Sequence, residues 1–169
     1  SLDLTGLPPT PAEIKVFVRD NSPRACEAVV DRLLDSRAYG ERWARHWLDV
    51  AGYADSNGGT EADSERSWTW RYRDYVIRSL NADKPWNQFI TEQLAGDELV
   101  TPPFGELQGD ALDRLVATGF LRLAPDPTGD GPADADLAKN QVIADTVQIV
   151  STSLLGLTVH CAQCHDHRY

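Results

Sequence analysis

Cys161, Cys164 and His165 stand in a Cys-x-x-Cys-His arrangement within the run Cys161-Ala162-Gln163-Cys164-His165-Asp166-His167. Two thiols at this spacing can add to the two vinyl groups of a porphyrin, and a histidine directly after the second thiol then lies beneath the iron. The pattern reads as covalent attachment of one c-type haem (haem c) through Cys161 and Cys164, with His165 as the proximal axial ligand. The same residues admit other chemistry. Cys161, Cys164 and His167 could supply three ligands of a tetrahedral zinc site, with His160 or His46 as the fourth and Asp49 or Asp166 as an acid or base beside it. A bare dithiol or a disulfide is a third reading, although the βαβ pattern that accompanies a thioredoxin-like motif is not visible.

A haem held in this way has a second axial position. The chain contains no methionine, so a histidine, water or a partner's side chain must fill it, and histidine ligation without methionine favours a lower potential. His46 is the preferred residue because it is remote in sequence and can face the iron from another helix. His160 and His167 are so near His165 that reaching the opposite haem face is awkward, and His167 is kept as an alternative iron ligand.

The elements that must position these residues read as helical throughout. The glycine and prolines between Leu4 and Pro9 point to an extended lead-in. Thr10-Pro11-Ala12-Glu13 makes a capping box with proline at the first helical position, so a helix runs to about Arg19. Asn21-Ser22-Pro23 starts a second, to about Ser36, with Ala25, Val29, Leu33 and Leu34 inward and Cys26 as a buried helix residue. A third runs from about Tyr39 to Tyr53, with Trp43, Trp47, Val50, Ala51 and Ala54 as its apolar stripe and Arg42, His46, Asp49 and Tyr53 on a second, polar face.

After a polar loop from Asp55 to Glu65, a fourth helix carries Trp68, Tyr72, Tyr75, Val76 and Leu80 and ends near Asn81. A fifth opens at Lys84-Pro85-Trp86 and stops at Gly96, and a sixth begins near Asp110 with Leu112, Leu115, Val116 and Phe120 inward. The breaker-rich stretch from Ala124 to Asp136 has a weak calcium-loop pattern at Asp126, Thr128, Asp130, Gly131 and Asp134. Leu137 stands there where an EF-hand needs a bidentate glutamate. The last helix, about Asp134 to Thr158, is the longest, reads as the centre of the bundle, and delivers the cysteine turn. The expected fold is all-α: an irregular bundle of about six to seven helices with long loops and no internal repeat.

At 169 residues and 41% hydrophobic content the chain suits a single domain, residues 1–169, with a real core. Its formal net charge of −10 argues against nucleic acid or an anionic membrane surface as a partner. There is no apolar run long enough to span a bilayer. On the haem reading the chain is an extracytoplasmic segment, periplasmic or at the cell surface, of a larger exported protein, with its export signal upstream of residue 1.

The residues Leu4 to Pro11, Tyr39 to Asp49, Trp70 to Arg78, Glu92 to Asp97 and Ala117 to Arg122, with the terminal Cys-x-x-Cys-His-Asp-His, resemble the planctomycete cytochrome c-associated domain of unknown function. The likeness covers nearly the whole chain through separate blocks. It implies one part of a large exported protein, following a cytochrome c-like domain, preceding a further domain, and continuing past Tyr169. It implies a haem protein but supplies no reaction. The expected role is electron transfer with redox partner proteins or neighbouring haem domains, as a carrier more than a catalyst by itself, with a homo-oligomer possible.

Overall fold

The computed structural model describes residues 1–58, 63–126 and 135–166. Among these the chain is all-α, with no strand and one isolated antiparallel bridge between Ser56 and Glu65. Its helices are α1 (Leu2–Thr5), α2 (Pro11–Arg19), α3 (Ala25–Leu34), α4 (Arg37–Ala51), α5 (Trp70–Asn81), α6 (Trp86–Ala95), α7 (Gly109–Ala117) and α8 (Ala135–Val150). Three-residue-per-turn segments follow at Phe104–Glu106, Thr118–Arg122 and His160–Gln163, and a π-helical turn, Ser151–Leu155, continues α8.

Local chemistry sets several boundaries. At α2 the Glu13 N–H donates to Thr10 Oγ1 at 3.2 Å and the Thr10 N–H donates to Glu13 Oε2 at 2.7 Å, the reciprocal capping expected from the sequence. Leu4 and Thr5 are not extended: they close α1, because Gly6, at φ 69°, serves as a left-handed cap and returns its N–H to Leu2 O.

The centre of the molecule is the pair α4 and α5. Near the start of α4, the Gly40 N–H donates to Asn81 Oδ1 at the end of α5 (2.8 Å). Farther along, Trp47 meets Tyr72 near the start of α5 (2.9 Å), so the two helices run antiparallel. A Cβ at Gly40 would lie 2.5 Å from Asn81 Cγ, and one at Gly96 would lie 1.9 Å from the Arg114 carbonyl oxygen. Both positions are close approaches, against a side chain at Gly40 and against backbone at Gly96.

Ala44, Trp47, Leu48 and Ala51 of α4 are buried against Tyr72, Tyr75 and Val76 of α5, with Phe89, Ala117, Phe120 and Leu123 completing the core. The Trp47 ring packs on Phe89 (5.1 Å), Trp86 (5.3 Å) and Phe120 (5.7 Å). The buried face of α4 is thus turned from the expected stripe: Trp43 and Val50 are exposed, and Ala54 lies beyond the helix. Small alanines let α4 approach α5 closely, whereas Trp43 packs beside Tyr39 and His46.

Two further expectations change. Cys26 is exposed, because α3 is a peripheral helix whose one buried residue is Leu33, in its last turn. The last helix is the longest, as expected, but it is not central: none of the residues of α8 is buried, and Leu137, Ile143 and Val147 are exposed. The single inner face expected from Leu137, Ile143, Val147, Val150, Leu154 and Leu155 does not form: α8 ends at Val150, and of these residues Leu137, Ile143, Val147 and Leu155 are exposed.

Candidate functional site

The cysteine turn hangs from α8. After the π-helical turn, Gly156 takes a left-handed conformation at φ 65° and the chain doubles back. Val159, His160, Ala162 and Gln163 then pack beside Ala144 and Val147, enclosing a cavity of about 240 Å³. The Cys164 and His165 N–H groups both donate to the Cys161 carbonyl, at 3.3 and 3.4 Å. Cys161 and Cys164 therefore sit one turn apart on the same short segment. Both are exposed and neither is in a disulfide.

His165 is exposed and its Nδ1 lies 3.0 Å from the Asp166 carbonyl oxygen. With the ring proton on Nδ1 this contact is a hydrogen bond, and it leaves the Nε2 lone pair available to a metal. The Asp166 side chain is also exposed.

His46 lies on α4, exposed, with its ring edge-on to Trp43 at a centroid distance of 5.3 Å. Arg42 and Asp49 stand on the same helix, but Tyr53, expected on that polar face, lies beyond the end of α4 at Ala51, packs against the core, and donates its hydroxyl to Asp55 Oδ1. Burial and that hydrogen bond push the Tyr53 phenol up to about 12. The helix that carries the cysteine turn is α8, while α4 holds His46. Among the described residues no three histidine, cysteine, aspartate or glutamate side chains come together as a metal-ligand cluster. His167, the alternative ligand, and Thr128, Asp130, Gly131 and Asp134 of the calcium-loop pattern lie outside the described residues.

The blocks that carry the family resemblance meet mainly in the core. Trp47 donates to the Tyr72 hydroxyl, which donates to Gln93 Oε1, and Gln93 Nε2 donates to the Phe89 carbonyl at 3.3 Å. Beside this chain, the buried Glu92 carboxylate accepts from Tyr75 at 2.9 Å, Gln88 at 2.8 Å and Lys84. Burial alone would raise the Glu92 carboxyl, but these donors outweigh it and hold the group below its ordinary value. These residues fix the scaffold on which the terminal turn is mounted.

Sequence reasoning missed a second concave surface, a cavity of about 610 Å³ between the start of α5 and the turn after α7. Its arginines come from segments far apart in the chain, so no local motif announces it.

No helix among the described residues is long and apolar enough to cross a membrane. No significant match is found among curated proteins or among solved structures. The family model PSCyt2, described as a protein of unknown function (DUF1549), matches the chain over residues 1–169, and the chain belongs to that family.

Proposed function

We propose that this chain is a c-type haem-binding electron-transfer domain, with the porphyrin joined to Cys161 and Cys164 and the iron held by His165. The observation that carries the reading is the terminal turn itself: two free, exposed thiols one turn apart, followed directly by a histidine whose Nδ1 is engaged by a backbone carbonyl. The apolar residues Ala144, Val147 and Val159 beside that turn fit the covering of a flat, largely apolar group. When bound, such a group supplies a one-electron iron couple. The chain's own residues fix where it sits: the thiols tether it, and the Asp166 carbonyl sets the tautomer and direction of the His165 ring.

His46 is the proposed second axial ligand. It stands on a different helix from the turn and is exposed, and the absence of methionine in the chain leaves histidine as the strongest candidate. A histidine pair of this kind favours a low potential. With a formal net charge of −10, the domain would dock a redox partner through a basic patch on that partner. The family resemblance supports an extracytoplasmic location within a larger exported protein bearing cytochrome c-like domains.

The test is expression of the chain with an export signal in cells that carry a cytochrome c maturation system. The expected result is a haem band that survives denaturing electrophoresis, a pyridine haemochrome spectrum of the thioether type, and one haem added to the protein mass. Stoichiometric zinc without iron, or an unmodified mass, would sink the proposal.

A further inference from the structure

The charge of this acidic chain is distributed unevenly. Among the described residues the larger cavity is lined by Arg66, Arg71 and Arg122 against one carboxylate, Asp126, with Trp68 also in the lining. The three arginines are engaged differently. Arg66 is part of the wall: its Nε donates to Asn57 Oδ1 and its two terminal nitrogens donate to the carbonyls of Leu123 and Ala124. Arg122 pairs with Asp126 at 3.2 Å.

Arg71 has no carboxylate partner among the described residues. Its guanidinium lies 4.8 Å from the Trp68 ring centroid and 5.5 Å from that of Trp70. This stacking engages the faces of the cation and leaves its N–H edge for an acceptor.

The position of Arg71 adds to the imbalance. It lies in the first turn of α5, where a cation is disfavoured by the helix dipole. That turn contains no acidic residue, and no side chain caps it. Burial lowers the affinity of Arg66 for its proton, and the neighbouring Arg122 charge acts in the same direction, opposed by Asp126. The Arg71 N–H and Tyr72 N–H donate to the Trp68 and Thr69 carbonyls, so the helix start itself is closed, and it is the arginine side chains at this cavity, in a chain with a net charge of −10, that are complementary to an anion. Trp68, 67% exposed, offers a flat apolar surface beside it.

We infer that this cavity binds an organic oxyanion, a small molecule bearing a carboxylate or phosphoryl group on a planar or apolar body. Arg71 takes the oxyanion on its N–H edge and Trp68 takes the body. Arg122 supplies a second positive charge, and Arg66 holds the wall in place. Haem attachment is not required for this binding, so the site can be tested whether or not the cysteine turn is loaded.

The experiment is calorimetric titration of the full chain with benzoate, phenyl phosphate and the neutral analogue benzyl alcohol, with tryptophan fluorescence as a second readout. At least one anion is expected to bind and to quench fluorescence, benzyl alcohol to bind at least tenfold more weakly, and added salt to weaken the anion. The preference between benzoate and phenyl phosphate assigns the oxyanion. Arg71→Gln should weaken binding by roughly tenfold or more, with Arg71→Lys intermediate. Because Arg71 is exposed, the thermal midpoints of both variants should match the parent. Failure of both anions to bind, equal binding of benzyl alcohol, or unchanged affinity in a folded Arg71→Gln variant would each overturn the proposal.

Discussion

The Trp47 indole donates its N–H to the Tyr72 hydroxyl at 2.9 Å in the buried centre of the molecule, so one polar bond pins α4 to α5 where their apolar faces meet. Tyr72 in turn donates to Gln93, so a single hydroxyl satisfies groups on two other helices. Tyr72→Phe keeps the ring and removes both bonds, leaving the Trp47 N–H and Gln93 Oε1 buried without that partner. The expected loss is about 1–3 kcal/mol, read from denaturant unfolding. A smaller effect than the loss of one exposed hydrogen bond would show that the network does not bear on stability.

Glu92 supplies a pH-dependent contribution to the fold. Its carboxyl is depressed from 4.5 because the hydrogen bonds from Lys84, Gln88 and Tyr75 outweigh the opposing effect of burial. A group with a lowered folded-state pKa contributes its stability fully above the unfolded value and loses it as pH falls through the folded value. Stability should therefore decline below about pH 4.5, and Glu92→Gln should make the decline shallower. At neutral pH the same variant should be less stable, since it leaves Lys84 half-buried without its carboxylate. Parallel unfolding curves for parent and variant across this window would refute the assignment.

The two close-approach glycines should differ in tolerance. At Gly40 the added methyl meets the Asn81 side chain, which can move at the cost of its bonds to Gly40 N–H and Arg37 O. At Gly96 it meets the Arg114 backbone carbonyl at 1.9 Å, and the junction of α6 with α7 would have to open. Gly40→Ala should cost about 1–2 kcal/mol and Gly96→Ala about 3 kcal/mol or more. The order of their thermal midpoints is the check, and equal losses would contradict it.

The proposed haem attachment would make separable demands on its ligands. Replacing both Cys161 and Cys164 by serine should abolish covalent attachment, whereas His165→Ala should lower the yield of attached haem and alter the spectrum of what remains. His46→Ala should retain covalent haem but shift the ferric form from low spin towards high spin, as seen by electron paramagnetic resonance. An unchanged low-spin signal would remove His46 as the axial ligand.

Much of the helical framework was legible because its signals are local: Thr10-Pro11-Ala12-Glu13 caps α2 and Lys84-Pro85-Trp86 opens α6. Which face is buried was less legible. Trp43 has the bulk of a core residue, yet the tight contact with α5 selects Ala44 and Ala51, because packing rewards fit more than size. The apolar residues of α8 indicate burial, and only its place at the edge of the bundle reveals how much of that surface is uncovered. The cysteine turn could be read directly because its residues are contiguous. Arg66, Arg71 and Arg122 meet only once α5 and the turn after α7 have packed together.

Cys26, exposed on α3 and outside any disulfide, gives the molecule an internal standard for counting its own occupancy. A thiol-alkylating reagent should modify three cysteines when the terminal turn is free, and Cys26 alone when Cys161 and Cys164 are both consumed as thioethers. Prior reduction opens a disulfide but not a thioether, so the same titration separates a redox pair from a tethered cofactor. The peripheral thiol that adds nothing to the core thus reports, stoichiometrically and without any spectrum, on the chemistry at the other end of the chain.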